Sequence, residues 1–218
     1  MKEEIRHKER DKEGDKDKGR DNVYKERDGA RGGTMGEPMN KKLIYLVGMM
    51  GTGKSTVGRC LAEQIGGSFI DLDQYIEERE QSSIAEIFQN CGEAYFRDLE
   101  SSVIQEVANN CPQASPYVVV ATGGGAFERS ENRRIINDSG IAVWLRTKPE
   151  TMAARLADDT SRPLLHGETE QSLLDKITQL LERRSTNYEQ AEIHLDTDGK
   201  SAADICNELI RMLDEHNM

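Results

Sequence analysis

From Lys41 onward, apolar residues follow two alternating patterns. Short continuous runs rich in β-branched residues give way to stretches where apolar positions recur every three or four residues. The runs "LIYLV" (43–47), "SFIDLD" (68–73), "YVVVATGGG" (117–125), "IAVWLR" (141–146) and "AEIHLDT" (191–197) predict five strands, the first of them buried. Helical periods fill residues 54–65, 74–80, 83–89, 93–110, 131–139, 148–157, 171–188 and 201–216. In the fourth of these, Phe96, Leu99, Val103 and Val107 share one face. Pro149 suits a first helical turn and Ser201 an N-cap. Residues 158–170 are polar and broken by Pro and Gly, which predicts a loop. Strands alternating with helices mean a parallel sheet covered on both faces. No internal repeat is present.

The first forty residues break this pattern. They carry 11 Lys/Arg against 11 Asp/Glu and only seven apolar residues, so they cannot bury enough surface to offset the entropy of ordering. The expectation for 1–40 is a disordered, solvated polyampholyte, either inert or an interaction tail. If it is inert, deleting residues 1–38 leaves kcat/KM unchanged. A start of translation at Met35 or Met39 is a further account of the same segment. It lacks the apolar core of a signal peptide and is too acidic for a transit peptide.

Charge and cysteine content narrow the function. The net charge of −11 sits wholly after the neutral tail and argues against general nucleic-acid binding. Any anionic ligand must be held by local cations or backbone N–H groups. No stretch approaches the 18 or so apolar residues of a membrane span. Cys60, Cys91, Cys111 and Cys206 show no C-x-x-C spacing and no ligand histidines, so unpaired thiols in a reducing cytoplasm are expected.

The chemistry starts at "LIYLVGMMGTGKST". Gly48, Gly53, Lys54 and Ser55 satisfy G-x-x-x-x-G-K-[ST], with a strand before and a helix after. In such a loop the backbone curls so that its N–H groups point at phosphate oxygens. The following helix N-terminus adds a favourable dipole. Lys54 would reach the β- and γ-phosphates, and Ser55 would offer its hydroxyl to Mg²⁺. A nucleotide is therefore expected; the acceptor is not yet specified.

Ligands of parallel sheets bind outside the carboxyl ends of the strands. There lie Asp71 and Asp73, and the triplet Gly123-Gly124-Gly125. The chain must turn near Asp73, so the two carboxylates can serve different partners. One can sit near a metal, and the other can orient a substrate hydroxyl towards the γ-phosphate. Asp73 is equally suited to cap the helix that follows. The triplet allows close backbone approach to a small ligand, or is a plain turn. Arg97 and Glu100, three apart, can share a helix face. Arg184 stands four before Tyr188, and Arg155 and Arg162 bracket the polar loop. Each arginine alone reads as surface charge, though a guanidinium also fits a carboxylate or phosphate. A mobile loop carrying Arg162 could close on the transferring group and exclude water. His166 and His194 have no partners at ligand spacing and receive no role.

Taken together, GMMGTGKST, DLD, FRDLE, ATGGG, SRPLLH and RSTNY, in this order and spacing, resemble shikimate kinases over about residues 41–215. The resemblance implies a P-loop kinase fold with five parallel strands ordered 2-3-1-4-5. It implies a substrate-binding insert at about 73–100 and a lid at about 157–168. It implies transfer of the ATP γ-phosphoryl group to shikimate, with Mg²⁺, by a cytoplasmic monomer without nucleic-acid or membrane partners. It also implies roles. Gly51, Thr52, Gly53, Lys54, Ser55 and Thr56 would wrap the phosphates, with Ser55 and Asp71 at the metal. Asp73 would bind the shikimate hydroxyls, as base or as guide. Arg97 and Arg184 would grip its carboxylate, and Gly123, Gly124 and Gly125 would line its pocket. Arg162 would contact ATP from the lid, Arg155 would lie against adenine, and Lys200 would contribute a further nucleotide contact. The rivals are another small-molecule P-loop kinase, and a catalytically silent relative that binds a partner.

Overall fold

In the computed structural model, described for residues 43–110, 115–157 and 170–216, all five predicted strands pair in parallel in one sheet. They are β1 (Leu43–Val47), β2 (Ser68–Asp71), β3 (Val118–Ala121), β4 (Gly140–Arg146) and β5 (Ile193–Asp196), in the order β2-β3-β1-β4-β5. The central strand β1 sets the register, with Leu43 opposite Val118 on one side and Gly140 on the other. The helices are α1 (Lys54–Gln64), α2 (Leu72–Glu80), α3 (Ile84–Asn109), α4 (Ser130–Ser139), α5 (Pro149–Ala157), α6 (Glu170–Tyr188) and α7 (Ala202–Glu215). A 3₁₀ turn spans Ala126–Glu128.

The period-two alternation of a strand sends successive residues to opposite faces, and both faces are buried. Tyr45, Val120 and Trp144 pack with Ile76, Phe96, Val103, Ile177 and Tyr188 on one side. Ile44, Leu46 and Val143 pack with Val57 and Leu61 of α1 and Ile205 and Leu209 of α7 on the other. Each such aliphatic residue contributes about 1.5–3 kcal/mol when fully buried. This three-layer P-loop arrangement is the expected one.

Two local details differ from the sequence expectation. β2 ends at Asp71, two residues early, and Asp73 lies in the first turn of α2. Asp71, not Asp73, is the cap: its carboxylate accepts from the backbone N–H groups of Asp73 and Gln74. Those N–H groups have no partner within the helix, so ending the strand here satisfies them. β3 stops at Ala121, because the chain turns at 123–125 into the 3₁₀ turn, where Ala126 N–H donates to Gly123 O at 3.1 Å. The expected break between segments 83–89 and 93–110 is present: Gly92 (φ 83°, ψ 169°) leaves the helical region, so α3 is two helices joined across a kink. At α7, Ser201 is the cap as expected, reciprocated by Asp204.

The tail 1–40 with Met35 and Met39, the lid beyond Ala157, Arg162, His166 and Cys111 lie outside the described residues. Among the described residues, Cys60, Cys91 and Cys206 form no disulfide, and no helix is long and apolar enough to cross a membrane.

Candidate active site

The loop between β1 and α1 forms one wall of a cleft of about 390 Å³ at the carboxyl end of the sheet. Gly53 is the N-cap of α1 in the left-handed region (φ 91°), and provides no side chain to cap it. The first-turn N–H groups of α1 are therefore left for an anion. Lys54 folds back over the loop, its Nζ donating to Gly48 O at 2.9 Å and Met49 O at 2.8 Å. Thr52, buried, donates its hydroxyl to Met49 O and braces the loop from below. Gly51 and Ser55 line the cleft, while Thr56 is exposed on the helix.

Ser55 Oγ donates to Asp71 Oδ2 at 2.6 Å. A hydroxyl and a carboxylate side by side at a phosphate loop are the hard oxygen ligands Mg²⁺ takes, alongside waters and phosphate oxygens. Among the described residues, no group of three or more His, Cys, Asp or Glu could hold a metal by itself. The donor set therefore fits Mg²⁺ brought with a nucleotide.

The facing wall is built from α2, α3 and the glycine turn after β3. Asp73, half-buried, lines the cleft together with Lys54, Ser55, Thr122 and Gly124. The turn lies so close to side chains that a Cβ on Gly123 or Gly125 would force a charged group to move. A Cβ on Gly123 would come within 2.6 Å of Glu100 Oε1 and 2.9 Å of Asp73 Oδ1. A Cβ on Gly125 would meet Arg97 Nη1 at 2.6 Å. The triplet is thus a shelf on which both acids and the guanidinium rest.

Arg97 Nη1 donates to Glu100 Oε2 at 3.0 Å, and Arg97 also meets exposed Glu93 at 3.3 Å. Glu100 is only 1% exposed, and its Oε1 has no hydrogen-bond partner among the described residues. Burial pushes its pKa above the usual carboxylate range, and Arg97 only partly offsets this. For Arg97, burial opposes the charge, but Glu100 and Glu93 outweigh it and hold the pKa above its usual value. Pairing therefore secures the arginine's charge without fully repaying the glutamate's desolvation.

Arg184 reaches the same turn from α6. Its Nη1 donates to Gly124 O at 3.3 Å and touches Met49 Sδ at 3.7 Å, and its Nε forms an ion pair with Glu128. One helical turn on, the Tyr188 hydroxyl donates to the same Gly124 carbonyl. Burial raises the Tyr188 pKa, with Arg184 acting the other way, so the phenol stays a donor. Tyr188 is itself wedged between Phe127 and Trp144.

Arg155 lies at the loop's outer edge, where it donates to Gly51 O at 3.0 Å. Lys200 is tied to Glu208 of α7 at 2.6 Å rather than to a loop residue. Glu93, Glu128 and the Tyr188 hydroxyl received no role from the sequence. Glu93 could have been read from its spacing four before Arg97, as Tyr188 could from Arg184. Glu128 carries no such signal, because it meets Arg184 across 56 positions of chain.

The shikimate kinase family model matches residues 50–214. The chain belongs to the shikimate kinase family. It is 44% identical to a shikimate kinase of Persephonella marina over 167 residues, covering 77% of this chain and 96% of the relative. It is 38% identical to that of Bacillus mycoides over 174 residues, 80% and 99% of the two chains. Among solved structures, a shikimate kinase from Acinetobacter baumannii in complex with shikimate superposes with a TM-score of 0.74 at 36% identity, covering 82% and 96%. That of Bacteroides thetaiotaomicron gives 0.72 at 36%, covering 79% and 98%.

Proposed function

We propose that this chain is a shikimate kinase, transferring the γ-phosphoryl group of ATP to the 3-hydroxyl of shikimate to give shikimate 3-phosphate and ADP. The observation that carries the reading is that one cleft joins the phosphate loop to Asp73 and the glycine shelf, with Arg97 and Arg184 against that shelf. Phosphoryl transfer asks a protein mainly for positioning and charge stabilisation. Lys54 leaves the Gly48 and Met49 carbonyls for phosphate oxygens, where its charge matches what develops in the transition state. The backbone N–H groups of 51–56 hold the β-phosphate side. Asp73 accepts a hydrogen bond from the 3-hydroxyl and aims it at the γ-phosphate, as base or as guide. Arg97 and Arg184 bind the substrate carboxylate, and the backbone of Gly123, Gly124 and Gly125 lines its ring.

Ser55 and Asp71 would hold Mg²⁺ brought with the nucleotide, and the ion would supply charge neutralisation at the phosphates. Arg155 lies against adenine, Lys200 supplies a further nucleotide contact, and Arg162, outside the described residues, would contact ATP. The enzyme acts as a cytoplasmic monomer; among the described residues Cys60, Cys91 and Cys206 form no disulfide, which suits a reducing compartment.

The test is ADP release by the purified chain with ATP, Mg²⁺ and a panel of acceptors including shikimate, gluconate and nucleoside monophosphates. Turnover is expected with shikimate well above the rest. Shikimate turnover no higher than that of the other acceptors would overturn the assignment.

A further inference from the structure

The two arginines at the glycine shelf have unlike acidic partners. Glu100, which holds Arg97, is 1% exposed and sits under the shelf, so it cannot leave. Glu128, which holds Arg184, stands at the end of the 3₁₀ turn with its side chain 40% exposed. Arg184 is the fixed member of that pair. Its side chain is 13% exposed and is anchored by Gly124 O and Met49 Sδ.

We propose that Glu128 sets the affinity of the acceptor site: it is a built-in carboxylate that occupies Arg184 until the carboxylate of the acceptor displaces it. This rests on the reading of Arg184 as a carboxylate-binding residue of a shikimate kinase. The physical reason is electrostatic. Asp71, Asp73 and Glu100 already place negative charge around the cleft. A carboxylic acid entering it depends on cations that are not already neutralised. While Glu128 pairs with Arg184, the incoming carboxylate exchanges one ion pair for another, and the gain is small. Glu128 can swing into water, where its own charge is well solvated, whereas Arg184 stays anchored. In return, the half-buried guanidinium never stands without a counter-ion, and it is held in one orientation before the acceptor arrives.

The experiment uses the full chain, with Glu128→Gln and Glu128→Ala. Kinetics are measured with shikimate and with shikimate methyl ester, which lacks the charged carboxylate. Both variants are expected to lower the shikimate KM by about two- to fivefold, the range of an exposed ion pair. The KM for ATP and kcat should stay within about twofold, and the KM for the ester should be the same as in the parent chain. Thermal melts check that the variants are folded. An unchanged or raised shikimate KM in both variants overturns the proposal, because Glu128 then does not compete. An equal shift with the ester also overturns it, because the effect then does not run through the carboxylate. If the parent chain fails to turn over shikimate, both this proposal and the functional reading fall. Normal turnover with unmoved variants sinks only this one.

Discussion

The Ser55 hydroxyl donates to Asp71 Oδ2 at 2.6 Å, while Asp71 Oδ1 accepts from the backbone N–H of Asp73 at 3.2 Å. One carboxylate therefore links the phosphate loop to the helix that carries Asp73. Its two oxygens do different work, and the two losses can be separated. Asp71→Ala removes both, and should lower stability by about 0.5–2 kcal/mol through the lost cap. Ser55→Ala leaves the cap intact, so its melting temperature should stay near that of the parent while its Mg²⁺ requirement rises. Thermal melts and Mg²⁺ titrations of activity check this pair. Equal melting losses in the two variants would rule out the cap.

Gly125→Ala should damage the acceptor site and spare the nucleotide site. The added methyl would lie 2.6 Å from Arg97 Nη1, so the guanidinium must move. Displacements of about 1 Å cost up to about a hundredfold in well-positioned sites. The expected result is a rise in shikimate KM of about tenfold or more, with ATP KM within about twofold. An equal rise in both constants would mean that the whole cleft, not Arg97, had shifted.

Arg97→Ala should weaken shikimate binding and also destabilise the fold in a pH-dependent way. It strands the Glu100 carboxylate, at a cost of roughly 3 kcal/mol near neutral pH, the low end for a buried pair because Arg97 keeps an exposed face. The pKa of Glu100 is already raised, chiefly by burial, and losing Arg97 raises it further. A raised carboxyl pKa means the folded state binds the proton more tightly than the unfolded chain does. Stability from this group is then greatest at low pH and is lost as pH rises through the folded pKa. The melting deficit of Arg97→Ala should thus be largest at pH 7–8 and shrink towards pH 5. Adding Glu100→Gln should flatten that dependence. A deficit that grows on acidification would contradict the buried-carboxylate account.

Lys54→Ala should lower kcat by about 10²–10³, the loss seen when one charge-stabilising donor is removed from a transition state. In the parent chain Lys54 Nζ lies 2.8–2.9 Å from the Met49 and Gly48 carbonyls, so its loss also loosens the loop. Single-turnover rates at saturating ATP isolate the chemical step. A variant with full single-turnover rate would remove Lys54 from the mechanism.

Much of the fold was legible in the chain. The five runs at 43–47, 68–73, 117–125, 141–146 and 191–197 named every strand among the described residues, because β-branched and apolar residues suit a pleated sheet even where, as in β2, burial is partial. The phosphate loop was legible too. Its function is performed by backbone geometry, which Gly48, Gly53 and Lys54 dictate locally. Ser201 was readable as a cap for the same local reason.

Contacts between distant segments were decided only by the tertiary structure. Whether Asp71 or Asp73 capped α2 depended on where β2 left the sheet, and pairing with β3 ended it at Asp71. Gly123 and Gly125 read equally well as a plain turn until Glu100, Asp73 and Arg97 were found packed against them. Local spacing could show that Arg97 and Glu100 shared a helix face, but not that the face was buried. Nor could it bring Glu128 to Arg184. The sequence by itself determined the elements and the phosphate loop, because hydrophobic periodicity and backbone freedom act over a few residues. The tertiary structure decided which charges are buried, which are paired and which can exchange, because desolvation depends on everything packed around a group.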